Sequence, residues 1–354
     1  MNFRCQQLAL FMLLVSSPVL ADDGSGLKTS AAVDMVGTFR GDKESTADDS
    51  FIVREAEILL TAPIDQTFNG LLSFAAHREG GFAVAEVHEA YISSSKLIPR
   101  SNIRVGQFFL GVGRLNRFHR HEWPTIFAPK VHEEFLGKEG ALDSGIEYSY
   151  LAPLPFYLDT TLGVTNGWTY GHSHNEGEKP KKPTHYARVA SFLELPGNGG
   201  AQVALNYLSR TDAQDNEMTL NGLDFTAKWR DAGVLNLLLQ GELWHRKQKP
   251  KDAAAENTLG AYVMPQYAID SQIFVGLLVE YYSVLSLKDA IGNAVDNSNI
   301  GFVPTLTYKA SEFSSLRLAY NRSTSHRADQ DDKVEQRLEL QATFMIGAHP
   351  AHDF

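Results

Sequence analysis

The stretch Gly233-Val234-Leu235-Asn236-Leu237-Leu238-Leu239-Gln240-Gly241-Glu242-Leu243-Trp244-His245-Arg246 reads as two faces. Leu235, Leu237, Leu239 and Leu243 fall on one, and Asn236, Gln240, Glu242 and Arg246 on the other. Such a period of two belongs to a β-strand whose sides meet different surroundings. Residues 334–347 repeat the pattern, with Leu338, Leu340, Ala342, Phe344 and Ile346 opposed to Glu335, Arg337, Glu339, Gln341 and Thr343. Outward from these two, windows of roughly ten residues alternate in the same way, bounded by Gly, Pro, Asn and Asp. Sixteen candidate strands result, from residues 30–40 and 51–61 at one end to 314–322 and 334–347 at the other.

The connections alternate short and long. Ala62-Pro63-Ile64-Asp65-Gln66, Ala152-Pro153-Leu154-Pro155 and Asp231-Ala232 are tight, whereas residues 41–50, 111–141, 167–183 and 285–298 are long. Outer-membrane barrels have this asymmetry, with short periplasmic turns and long external loops, and an even strand number returns both termini to the periplasm. The expected fold is therefore all-β, an antiparallel transmembrane β-barrel of about 16 strands with a lumen wide enough for water. A soluble β-sandwich would also alternate, but it leaves the loop asymmetry and the amino terminus unexplained. Trp168, Tyr170, Tyr207, Trp229, Trp244, Tyr281, Tyr282 and Tyr308 lie near strand ends and are expected to form interfacial girdles.

At the amino terminus, Arg4 precedes an apolar run, and Pro18-Val19-Leu20-Ala21 ends in the small-residue pattern of a signal-peptidase site. Residues 1–21 are read as a signal peptide and 22–354 as a single barrel domain. Cys5 is the one cysteine and lies in that signal, so disulfides and cysteinyl metal sites are excluded from the mature chain. Loss of Arg4 takes the net charge from −10 to −11, which argues against nucleic acid as a partner. The most apolar mature stretch, residues 273–287, is interrupted by Glu280 and is too short for a spanning helix.

The alternating strands and terminal Phe354 resemble the bacterial outer-membrane porin superfamily, and the strand count resembles its general porins and phosphate-selective porin-like group. Gly113-Arg114-Leu115-Asn116, His119-Arg120-His121-Glu122-Trp123-Pro124, Gly137-Lys138-Glu139-Gly140-Ala141-Leu142-Asp143-Ser144-Gly145 and the ending His349-Pro350-Ala351-His352-Asp353-Phe354 are similar to uncharacterised barrels labelled zinc-regulated or TonB-dependent. The resemblance implies an outer-membrane location, a lipid environment, a homotrimer and passive diffusion of small hydrophilic solutes or ions. The zinc-regulated label implies a role in metal or nutrient supply. The residues before Ser30 leave no room for the globular plug of a TonB-dependent receptor, and the polar tail after Gly347 departs from the usual assembly signal.

By the same resemblance, residues 111–141 are the third external loop and fold inward as a constriction. Strand alternation points Arg104, Lys228, Arg230, Arg317 and Arg337 into the lumen, against Glu147, Glu242, Glu280, Glu335 and Glu339. Opposed charges of this kind set a transverse field for permeating solutes, and each pair could equally satisfy its neighbour across adjacent strands. His119, His121, Glu122 and His132, joined from the next long loop by His172 and His174, supply imidazole and carboxylate donors that suit a transiently bound Zn²⁺ or other divalent ion. The bland alternative is a set of solvated loop side chains, since no fixed ligand spacing is present. No cofactor is required. A plug-less receptor or adhesin using the external loops is the second reading, and an outer-membrane hydrolase, suggested only by His172-Ser173-His174-Asn175, is the third.

Overall fold

A computed structural model describes residues 26–41, 50–79, 82–171, 179–231, 234–285, 297–327 and 330–347. Residues 1–21, read above as a signal peptide, the 172–178 segment with His172 and His174, and the tail from residue 348 lie outside the described residues. Sixteen antiparallel strands form a closed barrel in which each pairs with its sequence neighbours and β1 (Lys28–Arg40) closes on β16 (Gln330–Gly347). The closing register sets Met35 opposite Ala342 and Phe39 opposite Leu338. Closure leaves no unpaired edge, the condition for a sheet in lipid.

The short turns form as their residues dictate. Asp65 accepts hydrogen bonds from the backbone N–H groups of Thr67 and Phe68 at 2.7 and 2.8 Å, and Asp270 repeats this with Gln272 and Ile273 at 2.7 and 2.8 Å. Each carboxylate thus replaces backbone bonds that a tight reversal leaves unmade.

Burial is inverted relative to a soluble domain. Leu205 (63% exposed), Phe302, Leu306, Leu318, Leu338 and Phe344 lie on the surface, whereas Asp34, Asp224, Gln240, Glu242, Arg317 and Gln341 are buried. The outer wall is apolar and the inner wall polar, as membrane strands require. Among the described residues no helix is long and apolar enough to cross a membrane. Tyr207, Tyr281 and Tyr308 are exposed. Trp244 and Tyr170 are buried and Tyr282 is partly so, and all three pack in the core cluster inside the barrel instead of joining a girdle. Trp244 shares the parity of Gln240 and Glu242 in β11 (Val234–Lys249), which turns it inward.

Two bulges break the alternation where it matters. In β2 (Ser50–Pro63), Asp34 pairs with Glu55 and Met35 with Val53, so Arg54 is an extra residue and both Arg54 and Glu55 are buried. In β4 (Phe82–Ser94), Ser73 pairs with Glu89 and Phe74 with Val87, so His88 is extra and is buried beside Glu89. An inserted residue re-aims its strand, here toward the lumen.

Candidate functional site: the inserted loop and the lumen wall

Between β5 (Ser101–Phe109) and β6 (Leu142–Leu151), residues 111–141 enter the barrel, with short 3₁₀ turns at Leu115–Arg117 and Arg120–Glu122 and one helix, α1 (Lys130–Leu136). Pro129 precedes the helix, where its missing N–H costs nothing, and Gly137 ends it at φ 101°. Leu115, Trp123, Ile126, Val131, Phe135 and Leu136 are buried in one cluster with Leu208, Leu220, Tyr262, Met264 and Val303 of the wall. The loop therefore does more than narrow the lumen: its apolar side chains fill the middle of it. At the loop's base Asn116, fully buried, donates to the carbonyls of Leu110 and Ala141 at 2.8 and 3.1 Å and accepts from the N–H of Ala141 at 2.5 Å, tying both ends together.

Polar side chains of the wall hold the loop backbone. Glu242 accepts from the N–H groups of Arg114 and Leu115 at 2.9 and 2.8 Å, from Trp244 Nε1 at 2.6 Å and from the Tyr262 hydroxyl at 3.0 Å. Asn206 accepts from Gly113 N–H at 2.8 Å, and Glu280 from Lys130 N–H at 2.6 Å. Arg317 donates to the Trp123 carbonyl at 3.0 Å, and Arg54, paired with Asp34 at 2.6 Å, donates to the Ile126 carbonyl. Several expected pore-lining residues thus serve as straps. Glu147 pairs with Arg104 and accepts from the Tyr186 hydroxyl at 2.7 Å, under the loop's first residue. Lys228 is half-buried in β10 (Glu217–Asp231), while Arg230 is exposed at the strand's end, beside the short turn, where alternation had placed it in the lumen. A bulge opposite Trp229 and Arg230 makes Asn236 the extra residue there, and Asn236 is exposed.

What the loop leaves open is a polar cavity of about 490 Å³ against β13 (Ile273–Val284) through β16. Arg54, Arg120, Lys130, Lys138 and Arg337 line it together with Glu133, Glu280, Glu335 and Glu339. Neither sign dominates.

Next to this cavity, and joined to it through Arg120, the loop meets a cluster of imidazoles and carboxylates carried on β2, β3 (Asn69–Glu79) and β4. His119 Nδ1 lies 2.9 Å from Glu57 and its Nε2 2.9 Å from Glu89. His121 Nδ1 lies 3.5 Å from Glu55 and 3.4 Å from Glu57, and Arg120 bridges Glu55 at 2.9 Å and Glu139 at 2.5 Å. His77 and His88, from β3 and β4, lie 3.5 and 3.3 Å from Glu86. Burial alone would lower both rings, but Glu57 and Glu89 raise His119 well above the ordinary imidazole value, and Glu55, Glu122 and Glu57 raise His121 above it. Of the six metal-ligand candidates from the sequence, His119 and His121 join this cluster. Glu122 instead accepts from the His119 N–H at 3.0 Å, capping its turn. His132 is fully buried in α1, 5.0 Å ring to ring from Trp123, and burial lowers it to about 4. Sequence reasoning missed Glu55, Glu57, His77, Glu86, His88 and Glu139; the adjacent polar pairs Arg54-Glu55 and His88-Glu89 were the visible sign that alternation breaks there.

No known family profile matches the chain. An uncharacterised protein of Aquifex aeolicus is 27% identical over 334 residues, spanning 86% of this chain and 70% of that protein. The outer-membrane channel DcaP of Acinetobacter baumannii superposes with a TM-score of 0.62 over 90% of this chain and 97% of its own, at 12% identity. The anion-selective porin of Comamonas acidovorans gives 0.62 over 90% and 99%, at 11% identity. The fold is that of the outer-membrane porins. Identity this low carries the architecture and not the solute, so the chemistry rests on the residues described above.

Proposed function

We propose that this chain is a porin-like outer-membrane channel passing small hydrophilic solutes or ions along the polar cavity between the inserted loop and the β13–β16 wall. The observation that supports this most is the mixed lining of that cavity, in which five basic and four acidic side chains face one space. Side chains of both signs on the rim of a narrow passage replace part of a solute's hydration without trapping it. The apolar exterior supports residence in lipid, and a homotrimer belongs to the same proposal. The phosphate-selective reading finds no basic excess to support it.

The test is single-channel conductance of the refolded mature protein in a planar bilayer, with reversal potentials in a salt gradient. Stable open steps are expected, and Arg337→Glu, on the cavity lining beside Glu339 at 3.3 Å, should shift selectivity toward cations. A folded barrel without steps would overturn the channel. The filled lumen is the observation that favours the second reading, a surface receptor that uses its loops, and the same silent barrel would support it.

A further inference from the structure

The cluster on the β3–β4 wall brings together side chains with the donor atoms of a metal site as well as an ion-pair network. His77, Glu86, His88 and Glu139 each offer one donor atom, and all four atoms lie within 4.8 Å of one another. Three of these residues come from one hairpin. His77 pairs with Val84, which makes Glu86 its diagonal neighbour on the inward face, and the bulge turns His88 to the same side. The fourth, Glu139, comes from the inserted loop, where Arg120 holds one of its oxygens. The Glu86 oxygen lies 3.5 Å from His77 Nδ1 and 3.3 Å from His88 Nε2. A tetrahedral ion with bonds of about 2.1 Å has ligand-to-ligand edges of about 3.4 Å, so these separations are those of zinc ligands around their ion.

Charge points the same way. Glu55, Glu57, Glu86, Glu89 and Glu139 gather here with Arg120 and four imidazoles, because Arg54 is matched by Asp34. Three buried carboxylates and two half-buried ones, Glu86 and Glu139, need cations, and two imidazoles with two carboxylates form a donor set that neutralises one divalent ion.

We infer that His77, Glu86, His88 and Glu139 bind one divalent transition-metal ion of the Zn²⁺ class and that this ion staples the inserted loop to the barrel wall. The Glu57–His119 and Glu55–His121 pairs continue the network beside the ion and are not its ligands. The site is independent of whether the barrel conducts.

Zn²⁺ titrated into the refolded mature protein against a competing chromophoric chelator tests it. One ion per barrel is expected, with affinity reduced at least about 100-fold in His77→Ala/His88→Ala and within about threefold of the parent in His121→Ala. Co²⁺ in place of Zn²⁺ should give the intense visible bands of four-coordinate geometry in the parent alone. Should the double variant fail to show the gel mobility of a folded barrel, Glu86→Gln, which keeps the shape and removes a ligand charge, takes its place with the same expected loss. Parent protein that binds no more Zn²⁺ than the ligand variant, or loss of binding on His121→Ala as large as on His77→Ala/His88→Ala, would overturn the assignment.

Discussion

Acid should release the inserted loop, and His132 is the reason. Its imidazole is fully buried in α1 against Trp123, and burial, opposed only partly by a backbone contact with Gly137, lowers it from 6.5 to about 4. With the loop undocked, the ring returns to its ordinary value of about 6.5. Above 6.5 neither form holds the proton and below 4 both do, so between these values protons favour the undocked loop. The docked state is thus fully stable above 6.5 and weakens as pH falls, by about 2 kcal/mol at pH 5 and about 3 kcal/mol at pH 4. His119 and His121, raised when docked, contribute in the opposite sense: their stabilisation is complete below the ordinary imidazole value and lost as pH rises, so it stays constant between 6.5 and 5. Hydrogen exchange of the α1 amides, corrected for the intrinsic effect of pH, reads the result directly. Between pH 6.5 and 5, where the other two imidazoles contribute a constant amount, opening should become roughly 15-fold more frequent in the parent, and His132→Met, of similar size and without a titrating group, should flatten the profile over that range. Equal profiles for parent and variant would refute the reasoning.

Three further outcomes follow from the same contacts. Glu242→Ala leaves the N–H groups of Arg114, Leu115 and Trp244 without their acceptor, at roughly 1–3 kcal/mol for each buried donor, and should show as faster proteolysis within residues 111–141 on an intact barrel. Gly260→Val drives a side chain into Val131, whose Cγ2 already lies 2.4 Å from the position of an added Cβ, so α1 should lift from the wall and conductance rise. Leu205→Arg puts a charge on the most exposed apolar position of β9 (Gly199–Thr211) and should cost about 2–4 kcal/mol in denaturant titrations in lipid, with the loop contacts unchanged.

The barrel was legible because lipid and lumen impose a period of two on every strand, and strand pairing needs little beyond that period and the turns. Residues 233–246 and 334–347 carried the architecture in this way, down to the inward parity of Gln240, Glu242 and Gln341. The site was legible only in part. His119 and His121 were visible as donors on a long loop, but their partners sit on β2 and β4, and no local pattern says which wall a loop will meet. Bulges hid the rest, because an extra residue shifts parity: Arg54 with Glu55 and His88 with Glu89 both reach the interior. The girdle reading failed for Trp244 and Tyr170 because the same ring that suits an interface also fills a lumen, and here Trp244 lies against Gly222, whose missing side chain leaves room for its ring.

A lumen filled by apolar side chains and a lumen lined by charges look like opposite designs, yet the contacts make one depend on the other. Glu242 and Arg317 are spent on backbone groups of residues 114–123, so they fix the loop and do not line the cavity, whereas Glu280 and Arg54 hold loop backbone from the cavity's edge. Charges left facing water, among them Arg337, Glu335 and Glu133, gather where the loop stands off the β13–β16 wall. Straps from several strands and the imidazole cluster both hold the loop against the wall, and the width of the cavity follows from how firmly both hold. Loosening either by acid at His132, by loss of Glu242 or by removal of the metal proposed for the β3–β4 wall should widen the same passage, so conductance in the three perturbations should rise toward a common limit set by the barrel itself. Different limiting conductances would mean that the loop moves in independent pieces, and the coupling of strap to staple would be wrong.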